Sequence, residues 1–119
     1  MRVIKVPTNT IPVRHEDKVP VVTTEENYFW FALNELLRGV FRTMSAFDVH
    51  KNIEFKKEIT DQKGAKELRI QREADYELLN GWVGNGKNWP GEAEDVDALF
   101  LAVRDAEKVK AAPRESKIK

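Results

Sequence analysis

The hydrophobic and polar residues from position 23 to 41 follow the period of an amphipathic helix. Thr23 and Glu26 have the spacing of a capping box, in which two side chains bond the free amides at a helix start. The pattern therefore predicts a first helix over 23–41. Its apolar stripe consists of Phe29, Leu33, Leu36, Leu37 and Val40.

Three further helices are predicted downstream of the first. One follows Ser45 as far as about Thr60, although 53-IEF-55 alternates as a strand would. Another spans about 74–83, and the last spans about 93–109. The apolar positions of these helices are Phe47, Val49, Ile53 and Ile59, then Leu78, Leu79, Trp82 and Val83, then Val96, Leu99, Phe100, Val103 and Ala106.

Strand patterns are shorter and lie mostly near the N-terminus. The segment 2-RVIKVP-7 alternates apolar and basic residues and predicts a strand, for which 67-ELRIQ-71 is a candidate partner. Residues 8–21 contain Pro12 and Pro20 and predict either an extended arm or a loose second strand at a sheet edge, since proline cannot donate to a ladder.

Together these elements predict a mainly α, α+β fold: about four helices and a minor two- or three-stranded sheet from the N-terminal segment. A single globular domain is expected over 1–109, with 1–22 forming the strand and arm. A flexible basic tail is expected over 110–119, where frayed termini are common.

The composition is typical of one globular domain. The chain has 119 residues, of which 41% are hydrophobic and 34% charged. Twenty bases balance twenty acids, which makes nucleic-acid binding unlikely because such proteins usually carry a basic excess. The charge is uneven, however. Residues 73–107 hold nine acids and two bases, whereas 108–119 hold five bases and one acid.

The absence of cysteine excludes disulfides and thiolate metal sites, and no segment is apolar enough for a signal peptide or a membrane span. The histidines His15 and His50 have no metal-ligand spacing. Ser45 is better explained as a helix cap than as a nucleophile, and the acids in 92-EAEDVD-97 belong at a helix start on dipole grounds. We therefore expect a protein that is not an enzyme and has no catalytic, cofactor or metal site.

One stretch, 81-GWVGNGKN-88, matches seven of the eight positions of a phosphate-binding P-loop. A P-loop must follow a buried strand and open a helix, and its last residue must be Ser or Thr to hold magnesium. Here an amphipathic helix precedes the stretch, a Trp-Pro-Gly breaker follows it, and Asn88 ends it. The pattern instead predicts a connector, with Gly84 or Gly86 in the left-handed conformation and Trp89 folded back over the junction.

Aromatic residues are unusually dense at the start of the first helix, where Tyr28, Phe29, Trp30 and Phe31 are consecutive and point around the whole axis. Either this helix is central to the domain, or one side of it meets a partner, because tryptophan and tyrosine are favoured interface anchors. The candidate partner-binding residues are Tyr28, Trp30, Phe31, Trp82 and Trp89.

The second half of the chain combines a helix D-Y-x-x-L-x-x-x-V, a tryptophan-bearing turn and a helix V-x-x-L-x-x-A-V-x-x-A. The residues of this pattern are Asp75, Tyr76, Leu79, Val83 and Trp89, then Val96, Leu99, Ala102, Val103 and Ala106. The pattern resembles that of small proteins of the tail region of tailed phages and prophages, including tail-assembly chaperones. The opening M-R-V-I-K-V-P, the proline-containing arm and the aromatic helix are similar too.

The resemblance implies a non-enzymatic protein that binds tail components or itself during virion assembly. Its expected location is the host cytoplasm or the virion. The alternative is a small regulator that binds nucleic acid or a nucleic-acid enzyme.

Overall fold

The computed structural model describes residues 1–110, which form four helices and five short strands. Residues 111–119, most of the predicted basic tail, lie outside the described part of the chain. In chain order the elements are β1 (Arg2–Lys5), β2 (Thr10–His15), β3 (Val22–Asn27), α1 (Tyr28–Arg42), α2 (Ala46–Thr60), β4 (Glu67–Ile70), α3 (Glu73–Asn85), α4 (Ala93–Arg104) and β5 (Glu107–Lys108). The predicted α+β fold with four helices and minor sheets is confirmed.

β1 is the central strand of a three-stranded antiparallel sheet with the order β4-β1-β5. The predicted pairing of the 67–71 segment with the first strand is confirmed, since Arg2 lies opposite Ile70 and Lys5 opposite Glu67. On the other edge, β5 pairs with the first two residues of β1. The side chain of Ile4 is fully buried between this sheet and the helices.

The predicted last helix over 93–109 is wrong at its C-terminal end, because α4 stops at Arg104. The chain turns at Asp105 and returns alongside β1. Two backbone hydrogen bonds between Met1 and Val109 extend this pairing beyond β5. The apolar residue Ala106, which the helical pattern also accommodates, is buried in the turn instead.

The predicted start of the first helix is also wrong. Residues 22–27 form β3, which pairs with β2 in an antiparallel hairpin, so Thr23 and Glu26 do not form a capping box. Three of these residues are β-branched, and such side chains favour extended backbone. The second-strand interpretation of residues 8–21 is confirmed by β2, which contains Pro12.

The first helix is capped at Asn27. The side-chain oxygen of Asn27 accepts a hydrogen bond from the backbone N–H of Trp30 at 3.0 Å, and its amide group donates to the carbonyl of Pro7 at 2.9 Å. The cap thus satisfies a free amide of the helix and also fixes the helix start to the chain that leaves β1.

The β2–β3 hairpin and its loop, residues 10–27, are called the arm below. Its tip carries the exposed valines Val19, Val21 and Val22, and the Val19 side chain is 98% exposed. The molecule measures 56 × 33 × 27 Å with a radius of gyration of 15.7 Å, compared with about 13 Å for a compact domain of this size. The molecule is therefore more elongated than a compact domain.

The second helix begins where the sequence predicts, with the Ser45 hydroxyl accepting from the amide of Asp48 at 3.2 Å. Its apolar face differs from the prediction. Phe47 is 89% exposed, whereas Phe55 and Ile59 are buried. None of the helices within residues 1–110 has the length and apolar character needed to cross a membrane.

Candidate partner-binding groove

An open apolar groove lies between α3, α4 and the connector that joins them. Its volume is about 540 Å³, and among the described residues Asp97 is the only charged one that lines it. The groove is lined by Val83, Gly84, Gly86, Trp89, Ala93, Val96, Asp97 and Phe100. We call this feature the α3–α4 groove.

The two helices are held together beneath the groove by buried side chains. Leu79 and Val83 of α3 and Leu99 and Val103 of α4 belong to one core. The hydroxyl of Tyr76 donates to the carbonyl of Val103 at 2.6 Å. Burial raises the pKa of Tyr76, so its phenol keeps the proton that this bond requires. The groove therefore lies on a rigid base.

Glycines shape the α3 side of the groove. Gly84 lies within α3, and a β-carbon there would lie 4.0 Å from the Phe100 ring, so the two helices are close without clashing. At Gly86 a β-carbon would lie 2.9 Å from the Trp89 ring and 3.2 Å from the carbonyl oxygen of Trp82. The absence of a side chain at Gly86 is what lets Trp89 fold back over the end of α3.

The conformation of the connector differs from the prediction in detail. Gly84 and Gly86 are not left-handed: Gly84 is helical, and Gly86 has φ −66°. The left-handed residues are Asn88 (φ 62°) and Gly91 (φ 81°). Asparagine and glycine tolerate the left-handed region best, so the chain reverses direction at two residues for which this conformation costs little.

The same connector is fixed from below by the core. The Tyr28 hydroxyl donates to the carbonyl of Pro90 at 2.5 Å, and a β-carbon at Gly91 would lie 2.7 Å from the Tyr28 ring. Burial, together with the nearby Asp95 carboxylate, raises the pKa of Tyr28 and keeps its phenol a donor. Asp95 also accepts from the Asn9 side chain at 2.6 Å, which fixes the start of α4.

Two of the five candidate partner-binding residues lie in the core. Tyr28 is fully buried and Trp30 is 5% exposed. Their polar atoms are satisfied within the molecule, Tyr28 by Pro90 and Trp30 by the carbonyl of Ala65 at 3.0 Å. The central position of the first helix accounts for both residues, and neither is available at the surface.

The other three candidates, Phe31, Trp82 and Trp89, are half-buried. Within residues 1–110 the indole N–H groups of Trp82 and Trp89 make no hydrogen bond, and no fully buried side-chain nitrogen there lacks a partner, so both groups keep some access to solvent. The Trp82 ring packs between Phe41 and Phe55, whereas Trp89 lines the groove. The structure therefore does not gather the five candidates into one site.

Sequence patterns did not single out Phe100 and Val96 as surface residues, although both line the groove. Both match the helical period of α4, which predicts core positions for them, and both are half-buried and pack against the core as well as lining the groove. The signal is the width of the apolar stripe of α4, of which only Leu99 and Val103 are fully buried. The guanidinium of Arg104 lies over the Phe100 ring, 5.8 Å from its centre, at one end of the groove.

The groove has the chemistry of a binding site for an apolar side chain on another polypeptide. Trp89 and Phe100 offer aromatic surface, the Trp89 indole offers a hydrogen-bond donor, and Asp97 offers an acceptor. No three histidine, aspartate or glutamate side chains in the described chain are placed to hold a metal ion.

Comparisons of the chain with protein-family models, curated proteins and solved structures find no match, so the interpretation of the groove rests on its own geometry.

Proposed function

We propose that this chain is a non-enzymatic phage or prophage protein that binds another protein during virion assembly, with a tail component as the partner. The observation that carries the proposal is the α3–α4 groove, an open apolar surface lined by the aromatic side chains Trp89 and Phe100. Aromatic side chains are enriched at protein–protein interfaces, where they bury a large area.

The resemblance of the second half of the chain to phage tail-region proteins supports the choice of partner. The residues of that resemblance form α3, α4 and the turn between them, which are the elements that build the groove. The half-buried Phe31 and Trp82 enlarge the aromatic surface elsewhere on the molecule.

Light scattering of the purified chain, alone and mixed with purified tail components, tests this proposal. We expect a complex with one component, and we expect Trp89→Ala or Phe100→Ala to weaken it by tenfold or more, since a central interface aromatic typically contributes about 2 kcal/mol. Leu78→Ala is the matched control, because Leu78 is an exposed apolar residue of α3 that does not line the groove.

A strict monomer that binds no tail component would overturn the proposal. Retention on DNA that weakens steeply with salt would instead favour the alternative, a regulator that binds nucleic acid, because phosphate contacts release counterions.

A further inference from the structure

The two sheets within residues 1–110 have four outer strand edges, those of β4, β5, β2 and β3. Three of these edges are protected from pairing with a further strand, and the β3 edge is not. At the outer edge of β4, the side chain of Gln62 accepts from the Arg69 N–H and donates to the Arg69 carbonyl, both at 2.8 Å. Glu58 accepts from the next amide, that of Gln71, at 3.2 Å. These side chains occupy the positions that a neighbouring strand would use.

The β5 and β2 edges are protected in other ways. β5 has only two residues, which is too short to template a strand. In the arm, the backbone N–H of Tyr28 donates to the carbonyl of Asn9. The backbone N–H and C=O groups of every second residue from Asn9 onward therefore point toward β3, and those of the residues between them point outward. Pro12 is one of the outward residues and has no N–H, which interrupts the β2 edge at its centre.

The β3 edge has none of these devices. By the same alternation the backbone groups of Thr24 and Glu26 face β2, whereas those of Thr23 and Glu25 face outward. Within residues 1–110, no strand pairs with this side of β3, and both outward residues are exposed. Beside this edge the exposed valines of the arm tip add apolar surface.

The charges of the arm select the kind of strand that fits. Arg14 and Lys18 are outnumbered by four acids, and Arg14 is already paired with Glu16. Glu25 and Glu26 lie on opposite faces of β3, so either face of an added strand would meet a carboxylate. The four acids of the arm are Glu16, Asp17, Glu25 and Glu26. Pairing with a second copy would bring like charges together, which is unfavourable across strands.

From this geometry we propose that the outer edge of β3 binds an extended, basic segment of a different protein, which adds to the arm as a third antiparallel or parallel strand. Main-chain hydrogen bonds to Thr23 and Glu25 supply most of the affinity in this mode of binding, and the carboxylates select basic side chains. The proposal is independent of the α3–α4 groove, which lies on other elements.

Amide hydrogen exchange by NMR tests the proposal with a defined probe, a twelve-residue peptide of alternating lysine and valine. In the free protein we expect the Thr23 and Glu25 amides to exchange fast and those of Thr24 and Glu26 slowly. With the peptide at about ten times its dissociation constant, the Thr23 and Glu25 amides should exchange about tenfold more slowly. A peptide of alternating glutamate and valine is the charge control and should protect neither amide.

Two variants locate the binding. Thr23→Pro removes one outward N–H and should abolish protection of Glu25, while slow exchange at Thr24 and Glu26 reports that the hairpin is intact. Glu25→Lys keeps the backbone and should weaken binding of the lysine peptide about tenfold, since it replaces an attractive cross-strand charge pair by a repulsive one. Leu78→Ala, at an exposed residue of α3 outside both the arm and the groove, should bind the peptide normally.

Three results would overturn the proposal. These are no protection by the lysine peptide at millimolar concentration, equal protection by the lysine and glutamate peptides, and protection without peptide that grows with protein concentration. The last result would assign the β3 edge to a second copy of this chain.

Discussion

Gly84 and Gly86 are two residues apart, but the structure has room for a side chain at Gly84 and none at Gly86. A methyl group at Gly84 would meet only the Phe100 ring, at an ordinary contact distance, whereas at Gly86 it would meet the Trp89 ring and a backbone oxygen. We expect Gly84→Ala to stabilise the protein by about 0.5–1 kcal/mol, because alanine favours helix.

The same substitution at Gly86 should have the opposite sign. We expect Gly86→Ala to destabilise by about 1–3 kcal/mol through overpacking, and to move Trp89 out of its position. Urea unfolding of the two variants provides the comparison. Equal effects of the two substitutions would mean that Trp89 does not pack on Gly86.

The protonation of Glu58 makes the stability of the folded protein depend on pH. Burial raises the pKa of Glu58, and the nearby Asp75 carboxylate raises it further, above the ordinary value of 4.5. A raised carboxyl pKa means that the folded state binds the proton more tightly, so this contribution to stability is full below pH 4.5 and is lost as the pH rises through the folded pKa.

Glu58→Gln should therefore raise the melting temperature at pH 7, where the carboxylate is charged, and change it little at pH 4. Glutamine can still accept the bond from the Gln71 amide. Thermal unfolding at both pH values measures the difference. A variant less stable than the native protein at pH 7 would show that the charged acceptor matters more than its burial.

At the scale of elements, the helix cores and the starts of α2 and α4 were predictable, whereas the start of α1 and the end of α4 were not. The α2 start at Ser45 followed from a local signal, since a serine cap needs only the amide three residues on. The first helix begins at Asn27 and not at Thr23, because pairing of 22–27 with β2 is a non-local contact that local periodicity cannot report. The strand after α4 was missed for the same reason.

The groove was predictable only in part. Trp89 was identified from its residue type, but its packing against Gly86 depends on left-handed residues at Asn88 and Gly91. The same residue-type argument selected Tyr28 and Trp30, which are core residues. Residue type alone could not separate them, because the distinction lies in whether each polar atom finds a partner inside the fold.

The position of the helix cap gives a direct test of this element. Asn27→Ala should destabilise by about 1–2 kcal/mol, since it removes a cap and a bond to the Pro7 carbonyl. Thr23→Ala, at the residue that the sequence pattern favours as the cap, should change stability by less than about 0.5 kcal/mol. The free energy of unfolding of each variant decides between the two positions, and the reverse order would contradict the observed start of α1.

At the scale of the whole molecule, Arg2 connects segments that are far apart in the chain. Its guanidinium donates to both oxygens of Glu73 at 3.0 and 2.9 Å, donates to the carbonyl of Ala106 at 3.1 Å, and lies 4.5 Å from the centre of the Tyr76 ring. One side chain thus joins β1, α3 and the segment before β5.

Arg2→Lys should lower the free energy of unfolding, because lysine keeps the charge but cannot reproduce the planar two-bond contact. Arg69→Lys is the control, at an exposed ion pair worth less than about 0.5 kcal/mol.

The hydrogen bond from Arg2 lowers the pKa of Glu73 below 4.5. The stability from this carboxylate is therefore present above pH 4.5 and is lost as the pH falls through the folded pKa.

The difference between native protein and Arg2→Lys should consequently shrink in acid, which unfolding at pH 7 and pH 3 would measure. A difference that stays constant with pH would assign the effect to the bond with the Ala106 carbonyl and the contact with the Tyr76 ring.

The three tryptophans of this chain occupy three different environments, and this gives the molecule built-in optical probes. Trp30 is shielded from water, whereas the Trp82 and Trp89 indoles reach it. A protein with Trp30→Phe and Trp82→Phe would emit from the groove alone. Its emission colour and its quenching by iodide would then follow occupation of the groove without any added label.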